Sequence, residues 1–212
     1  AGALGAIGPG AAPAVPALVR ALDDPEVSWR VPEALGSIGP AAAGAVPALR
    51  ACLRDERGNV RWRAAVALGK MGGAASAAGP ELARLTHDRQ DNVRLGAVIA
   101  LARVGADVEL QQAAFVEALE DSNPEVRTKA ANGLRRLGRA ASAAAPALVA
   151  ALADPDAWVR VSVARALGRV GEDAASVDAL KWALDDDEQI VRQEAATALR
   201  TLTASREAHD YP

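Results

Sequence analysis

Aromatic side chains are nearly missing from this chain of 212 residues: it has one Phe, one Tyr and four Trp, although half of its residues are apolar. A core must therefore be assembled from Ala, Leu and Val, whose small volume lets helices approach closely. Alternating β-branched runs joined by Asn-Gly turns are missing too, so an all-helical fold is expected. The single cysteine, Cys52, excludes a disulfide framework and supplies too few thiolates for a structural zinc site. It shares a repeat column with Ala21, Leu85, Ala118, Ala151 and Ala183, and is therefore expected to be a buried, inert thiol. No apolar run approaches the roughly 20 residues of a membrane-spanning helix, and the first residues lack a signal-peptide pattern. The chain reads as cytoplasmic. Phosphate-binding Gly-rich loops, nucleophile elbows and paired cysteines are absent, so no catalytic residue, cofactor or metal is expected.

What the chain does contain is one pattern repeated. Asp24 and Arg30, Asp55 and Arg61, Asp88 and Arg94, Asp121 and Arg127, Asp154 and Arg160, and Asp186 and Arg192 are each six residues apart, and successive aspartates follow at intervals of 31, 33, 33, 33 and 32. A fixed period of this size marks a stack of small units that bury their apolar faces against one another. Each repeat holds two stretches of helical periodicity. The first stretches carry Leu18 and Leu22, Leu49 and Leu53, Leu82 and Leu85, Phe115 and Leu119, Leu148 and Leu152, and Leu180 and Leu184, with Pro16, Pro47, Pro80 and Pro146 early in four of them. The first helices are expected at 14–22, 45–53, 78–86, 111–119, 144–152 and 176–184. The second are expected at 27–38, 59–71, 92–104, 125–137, 158–170 and 190–202. Ala34–Gly39, Ala67–Gly72 and Ala166–Gly171 read ALGSIG, ALGKMG and ALGRVG. The closing glycine is expected to end the helix in a left-handed conformation, and the inner Gly36, Gly69 and Gly168 to mark close helix approach. The first repeat is two residues short around Pro32, which predicts a shortened turn or second helix there.

The Asp-to-Arg spacing, the proline early in the first helix and the ALGxxG ending together resemble HEAT repeats, and more narrowly the bacterial HEAT-like units named after phycobilisome lyases. The resemblance implies a right-handed α-solenoid, or superhelix, of antiparallel helix pairs of HEAT/armadillo type. It also implies an Asp–Arg ladder from repeat to repeat and second helices lining the concave face. Residues 1–8, containing ALGAIG, are expected to be the remnant second helix of a preceding repeat in a longer chain. Six repeats then occupy 9–203 as one solenoid domain, and a tail fills 204–212. The function implied is a noncatalytic protein-binding scaffold or adaptor. Two alternatives stand beside it: a bilin lyase or chaperone-like subunit, and a HEAT-like DNA-binding or DNA glycosylase protein. His87 and His209 lack the His-Glu arrangement of the family's iron-dependent hydroxylase.

Net charge is −3, but acids crowd the turns while bases crowd the second helices. Lys70, Arg103, Arg136 and Arg169 recur every 33 residues and so form one column, which would run roughly 30 Å at a helix spacing of about 10 Å. Together with Arg63, Lys129 and Trp62 they are the candidate binding residues for a protein partner with an acidic segment; nucleic acid is not an expected partner. A cation in the last turn of a helix also complements exposed carbonyls, worth about 0.3–1 kcal/mol, so this column has a structural account as well. Trp29, Trp62 and Trp158 near the starts of second helices are expected to pack between repeats. Trp182 lies in a solvent-facing column and is a candidate contact near the C-terminal end, or a surface that Tyr211 covers.

Overall fold

The computed structural model describes residues 8–24, 26–171 and 173–207, with the backbone alone for 204–207. The expected remnant helix before Gly8, and His209 and Tyr211 in the tail, lie outside the described residues. Among the described residues twelve α-helices alternate and there is no strand. The odd-numbered helices are the first of each repeat: α1 (Val15–Arg20), α3 (Val46–Cys52), α5 (Gly79–Leu85), α7 (Val108–Ala118), α9 (Ala145–Ala151) and α11 (Ala174–Trp182). The even-numbered helices are the second: α2 (Val31–Ile38), α4 (Gly58–Met71), α6 (Asp91–Leu101), α8 (Pro124–Leu137), α10 (Ala157–Val170) and α12 (Gln189–Glu207). The chain divides into two compact units, Ala1–Ala114 and Phe115–Pro212. Within the first, α2 packs on α4 and α4 on α6; within the second, α8 packs on α10 and α10 on α12.

Proline sets where the odd helices begin. Pro16, Pro47, Pro80 and Pro146 occupy the first or second position of α1, α3, α5 and α9, and 3-10 runs at Gly8–Ala14, Gly39–Ala45, Gly72–Ala78 and Gly138–Ala144 lead into them. The ring clashes with the carbonyl four residues back and supplies no N–H, so the α-helix extends only one residue before it, to Val46, Gly79 or Ala145. Where the column holds Ala113 or Asp178 instead, the helix begins earlier: α7 has 11 residues and α11 nine, against six or seven elsewhere. In the first repeat the shortening falls on the start of α2, which has 8 residues where α4 has 14, with Pro32 in its first turn.

The glycine that closes an even helix differs from its expected conformation: Gly171 after α10 is not left-handed at all, with an extended backbone at φ −91° and ψ 119°. Gly72 and Gly138 both have φ +59° but ψ near −139° and −138°, outside the left-handed helical well and in a region essentially reserved for glycine. Gly72→Ala is expected to cost about 1–3 kcal/mol, read as a lowered urea midpoint with unchanged slope. The inner glycines do mark close approach. A Cβ on Gly69 would stand 2.9 Å from the Ala100 Cα, and one on Gly168 the same distance from the Ala198 Cα. The core is built as composition requires, from Ala, Leu and Val around the fully buried Phe115. Cys52 is half-buried rather than buried, and desolvation, followed by the charge of Asp55, raises its pKa and so favours the protonated thiol.

The Asp–Arg ladder is present. Arg61 donates from Nε and Nη2 to both oxygens of Asp88 at 2.7 and 2.8 Å, Arg127 to those of Asp154 at 2.6 and 2.8 Å, and Arg160 to those of Asp186 at 2.8 and 2.9 Å. Nη1 of the same arginines donates to the carbonyl of the aspartate six residues earlier, at 2.8 Å for Asp55, Asp121 and Asp154. One guanidinium thus ties its own turn to the next. The aspartates do not cap the even helices directly. Each accepts the amide two residues on, as Asp88 does from Gln90 at 3.0 Å and Asp121 from Asn123 at 2.8 Å, and the residue so held is itself the N-cap at Arg57, Gln90, Asn123 and Asp156; in the first repeat Asp24 holds Glu26, while the N-cap of α2 is Arg30. Ladder arginines are the fourth residue of their helices, whereas Arg30 precedes α2 and lies exposed over the Trp29 ring at 4.6 Å. Asp55, which the series would give to Arg30, is held instead by Arg57 through two contacts of 3.0 Å.

These pairs predict acid lability. Hydrogen bonds from Arg160, outweighing burial, hold the Asp186 carboxyl below the usual range; burial would raise Asp88, but Arg61 and the Gln90 amide outweigh it and lower it. A carboxyl depressed in the folded state binds fewer protons than in the unfolded chain. Its stabilisation is complete above the unfolded value of about 3.9 and is lost as pH falls through the folded value. Urea midpoints are expected to be flat from pH 7 to 5 and to fall below pH 4, with Asp186→Asn less stable at pH 7 and less steep in acid.

Candidate functional site

Among the described residues the even helices of each unit present a groove. In the first, Gly36 of α2 lies so close to Ala67 of α4 that the pair forms a floor without side-chain bulk, and a cavity of about 170 Å³ remains above it. Pro32, Trp62 and Val66 supply apolar walls, Lys70 stands at the rim, and Arg63 crosses the groove to Glu33 at 2.9 Å. The Arg63 guanidinium also lies 5.0 Å from the Trp29 ring and 5.6 Å from the Trp62 ring, a cation–π arrangement that fixes its long side chain.

The second groove uses equivalent positions in the other unit. Gly168 of α10 and Ala198 of α12 form the floor, and a cavity of about 160 Å³ opens over them. The cross-groove ion pair occurs here as well but with its polarity reversed: Arg165 stands where the first groove has Glu33, and Glu194 where it has Arg63. Arg165 holds the Glu194 carboxyl below its usual range through a hydrogen bond that exceeds the opposing effect of burial. Arg135 and Arg169 add two further guanidinium groups to the lining.

Of the residues singled out from sequence, Lys70, Arg63 and Trp62 come together in the first groove, and Arg169 lines the second. Lys70, Arg103, Arg136 and Arg169 are all exposed, and none joins an ion pair among the described residues. Arg103 is not in the last helical turn as expected. It lies beyond Leu101, where α6 ends, and its amide bonds to the Ala100 carbonyl at 2.9 Å. Lys129 is half-buried on α8 and lines neither groove. Trp62 also packs between repeats, since a Cβ on Gly96 would meet its ring at 2.9 Å. Trp158 departs from that expectation and is 63% exposed, because its position as second residue of α10 points it away from the stacked helices. Trp182 is equally exposed, on an odd helix outside both grooves. Sequence reasoning missed Arg135 and Arg165 as groove residues. Arg135 occupies the column of Gly36, Gly69 and Gly168, and an arginine at an otherwise small position was the available signal.

Among the described residues no cluster of His, Cys, Asp and Glu could hold a metal, and no helix is long and apolar enough to cross a membrane. Alternating helix pairs, a ladder between turns and close even-to-even packing define an α-solenoid of HEAT/armadillo type. The HEAT-repeat model matches residues 15–102 and 112–200, and the chain belongs to the HEAT-repeat family. That match is to HEAT repeats as a class and does not single out the phycobilisome-lyase subgroup. No curated protein matches the chain. Among solved structures, an engineered protein is similar at 24% identity and TM-score 0.71, covering 90% of this chain and 96% of its own. A designed armadillo repeat protein in complex with the peptide (KR)4 is similar at 20% identity and TM-score 0.72, over 89% of this chain and 99% of that one. Computationally designed armadillo repeat proteins for modular peptide recognition give 20% identity and TM-score 0.69, over 88% and 99%. At these identities the likeness is one of fold.

Proposed function

We propose that this protein is a noncatalytic scaffold whose even-helix face binds an acidic segment of a protein partner. The carrying observation is the contrast among its cations. Arg63 and Arg165 are committed to internal ion pairs, while Lys70 and Arg103 in one unit and Arg136 and Arg169 in the other are exposed and have none among the described residues. Exposed like charges on neighbouring helices attract an anionic ligand. A structural neighbour is solved with the peptide (KR)4, which supports a peptide as the ligand class; the cations here favour acidic rather than basic residues.

The test is fluorescence anisotropy with a labelled Glu- and Asp-rich peptide against the native chain and the variant K70Q/R103Q/R136Q/R169Q. All four side chains are exposed, so the variant is expected to fold, with an unchanged helical circular dichroism signal. Binding is expected to weaken at least tenfold in the variant and to weaken steeply with salt in the native chain. Equal affinity for the two proteins would remove the even-helix cations from the binding face.

A further inference from the structure

The second groove carries more positive charge than an acidic peptide requires. Arg135 from α8 and Arg165 and Arg169 from α10 surround one small cavity, against a single carboxylate, Glu194, already hydrogen-bonded to Arg165. A fourth guanidinium stands beside it, for Arg200 donates to the Thr197 hydroxyl oxygen at 3.1 Å. The threonines do not offer donors of their own. Thr197 and Thr201 turn their hydroxyl protons into α12, onto the carbonyls of Gln193 and Thr197 at 2.9 and 3.0 Å. The donors left to a ligand are therefore guanidinium N–H groups. Arg169 makes no ion pair among the described residues, and Arg135 spends only its Nε, in a 3.4 Å contact to Asn132.

We infer that this groove, between α10 and α12 with Arg135 of α8 at its edge, is a subsite for the phosphate of a phosphoserine or phosphothreonine in the partner's acidic segment. The inference rests on the scaffold reading above and names the group that reading leaves open. Two features select phosphate over carboxylate. A phosphate monoester carries close to two negative charges and three acceptor oxygens, enough to engage several guanidinium forks at once, whereas a carboxylate has two oxygens and one charge. The floor of Gly168 and Ala198 holds no side chain beyond a methyl, and the cavity of about 160 Å³ lined by it and by Arg135, Arg165 and Arg169 has room for a tetrahedral group. Arg135 is what distinguishes this groove: a glycine, as at the equivalent positions 36, 69 and 168, would leave one guanidinium fewer. A nucleic acid is disfavoured because the cluster covers one phosphate-sized cavity, while the turns at either end carry Asp185, Asp187 and Glu188 or Asp154 and Asp156.

The experiment compares three labelled probes on the full chain: an acidic peptide with one central phosphoserine, the same peptide with Glu at that position, and a single-stranded oligodeoxynucleotide of similar length. The native chain is expected to bind the phosphopeptide at least tenfold more tightly than its Glu counterpart. R135Q/R169Q, which alters two exposed side chains and spares the Arg165–Glu194 pair, is expected to erase that preference, and K70Q/R103Q to retain it. A native chain that binds both peptides alike, a preference that survives R135Q/R169Q, or an oligonucleotide bound as tightly as the phosphopeptide overturns the phosphate subsite while leaving the acidic-peptide scaffold in place. If neither peptide binds, the scaffold reading itself fails.

Discussion

Arg127→Met is expected to destabilise the second unit by about 3–5 kcal/mol, the loss seen when one partner of a buried ion pair is removed and the other stays behind. The Arg127 and Asp154 side chains are only 12% and 7% exposed, so water can do little to replace the missing guanidinium. Methionine keeps most of the aliphatic stem but loses both contacts to Asp154 and the Nη1 donations to the carbonyls of Asp121 and Ser122. The charge left on Asp154 dominates the cost. R127M/D154N should therefore recover a large part of it, since Asn removes the charge yet can still accept the Asp156 amide that shapes the turn. Arg30→Met supplies the contrast: Arg30 is exposed and outside the ladder, and its loss should cost less than about 1 kcal/mol. Urea unfolding at pH 7 reads all three. A cost for Arg127→Met as small as that for Arg30→Met would mean that the ladder is solvated and decorative.

The same six-residue spacing made the repeats legible, but it concealed the exception at Arg30. Spacing reports sequence distance, whereas the ladder needs the arginine at the fourth helical position. Pro32 moves the start of α2 past Arg30 and so removes it from the series. Proline was also the most informative residue for helix length: its presence or replacement at one column separates the short odd helices from α7 and α11. The closing glycines showed where the helices end but not how: φ above zero, as at Gly72 and Gly138, is compatible with more than one ψ, and Gly171 closes α10 with an extended backbone at φ −91°. Groove residues were legible where they fell in a basic column, as Lys70 and Arg169 did, or stood next to a ladder arginine, as Trp62 and Arg63 did beside Arg61. Arg165 was hidden because its counterpart in the first groove is Glu33, of opposite charge, and periodicity registers residue type rather than the reciprocal swap of an ion pair. Trp158 was misread for a related reason, since a position near a helix start does not specify which face the side chain joins.

Phe115 tests how tightly the scarce aromatic volume is fitted. The ring is fully buried, and a Cβ on Gly133 of α8 would stand 2.7–2.8 Å from three of its carbons. Phe115→Ala is expected to cost about 3–5 kcal/mol, because the surrounding alanines and leucines cannot collapse into the space without moving two helices. Gly133→Ala alone should cost about 1–3 kcal/mol by forcing the ring from its place, despite the higher helix propensity of alanine. The two substitutions should not add. With the ring gone the new methyl no longer clashes and fills part of the hole, so F115A/G133A is expected to be at least about 1 kcal/mol more stable than the sum of the single losses. The cycle can be read from urea midpoints with the slopes held in common. Strict additivity would show that the ring moves aside freely, and that the small-residue columns between helices are spacers of convenience rather than sites fitted to one neighbour.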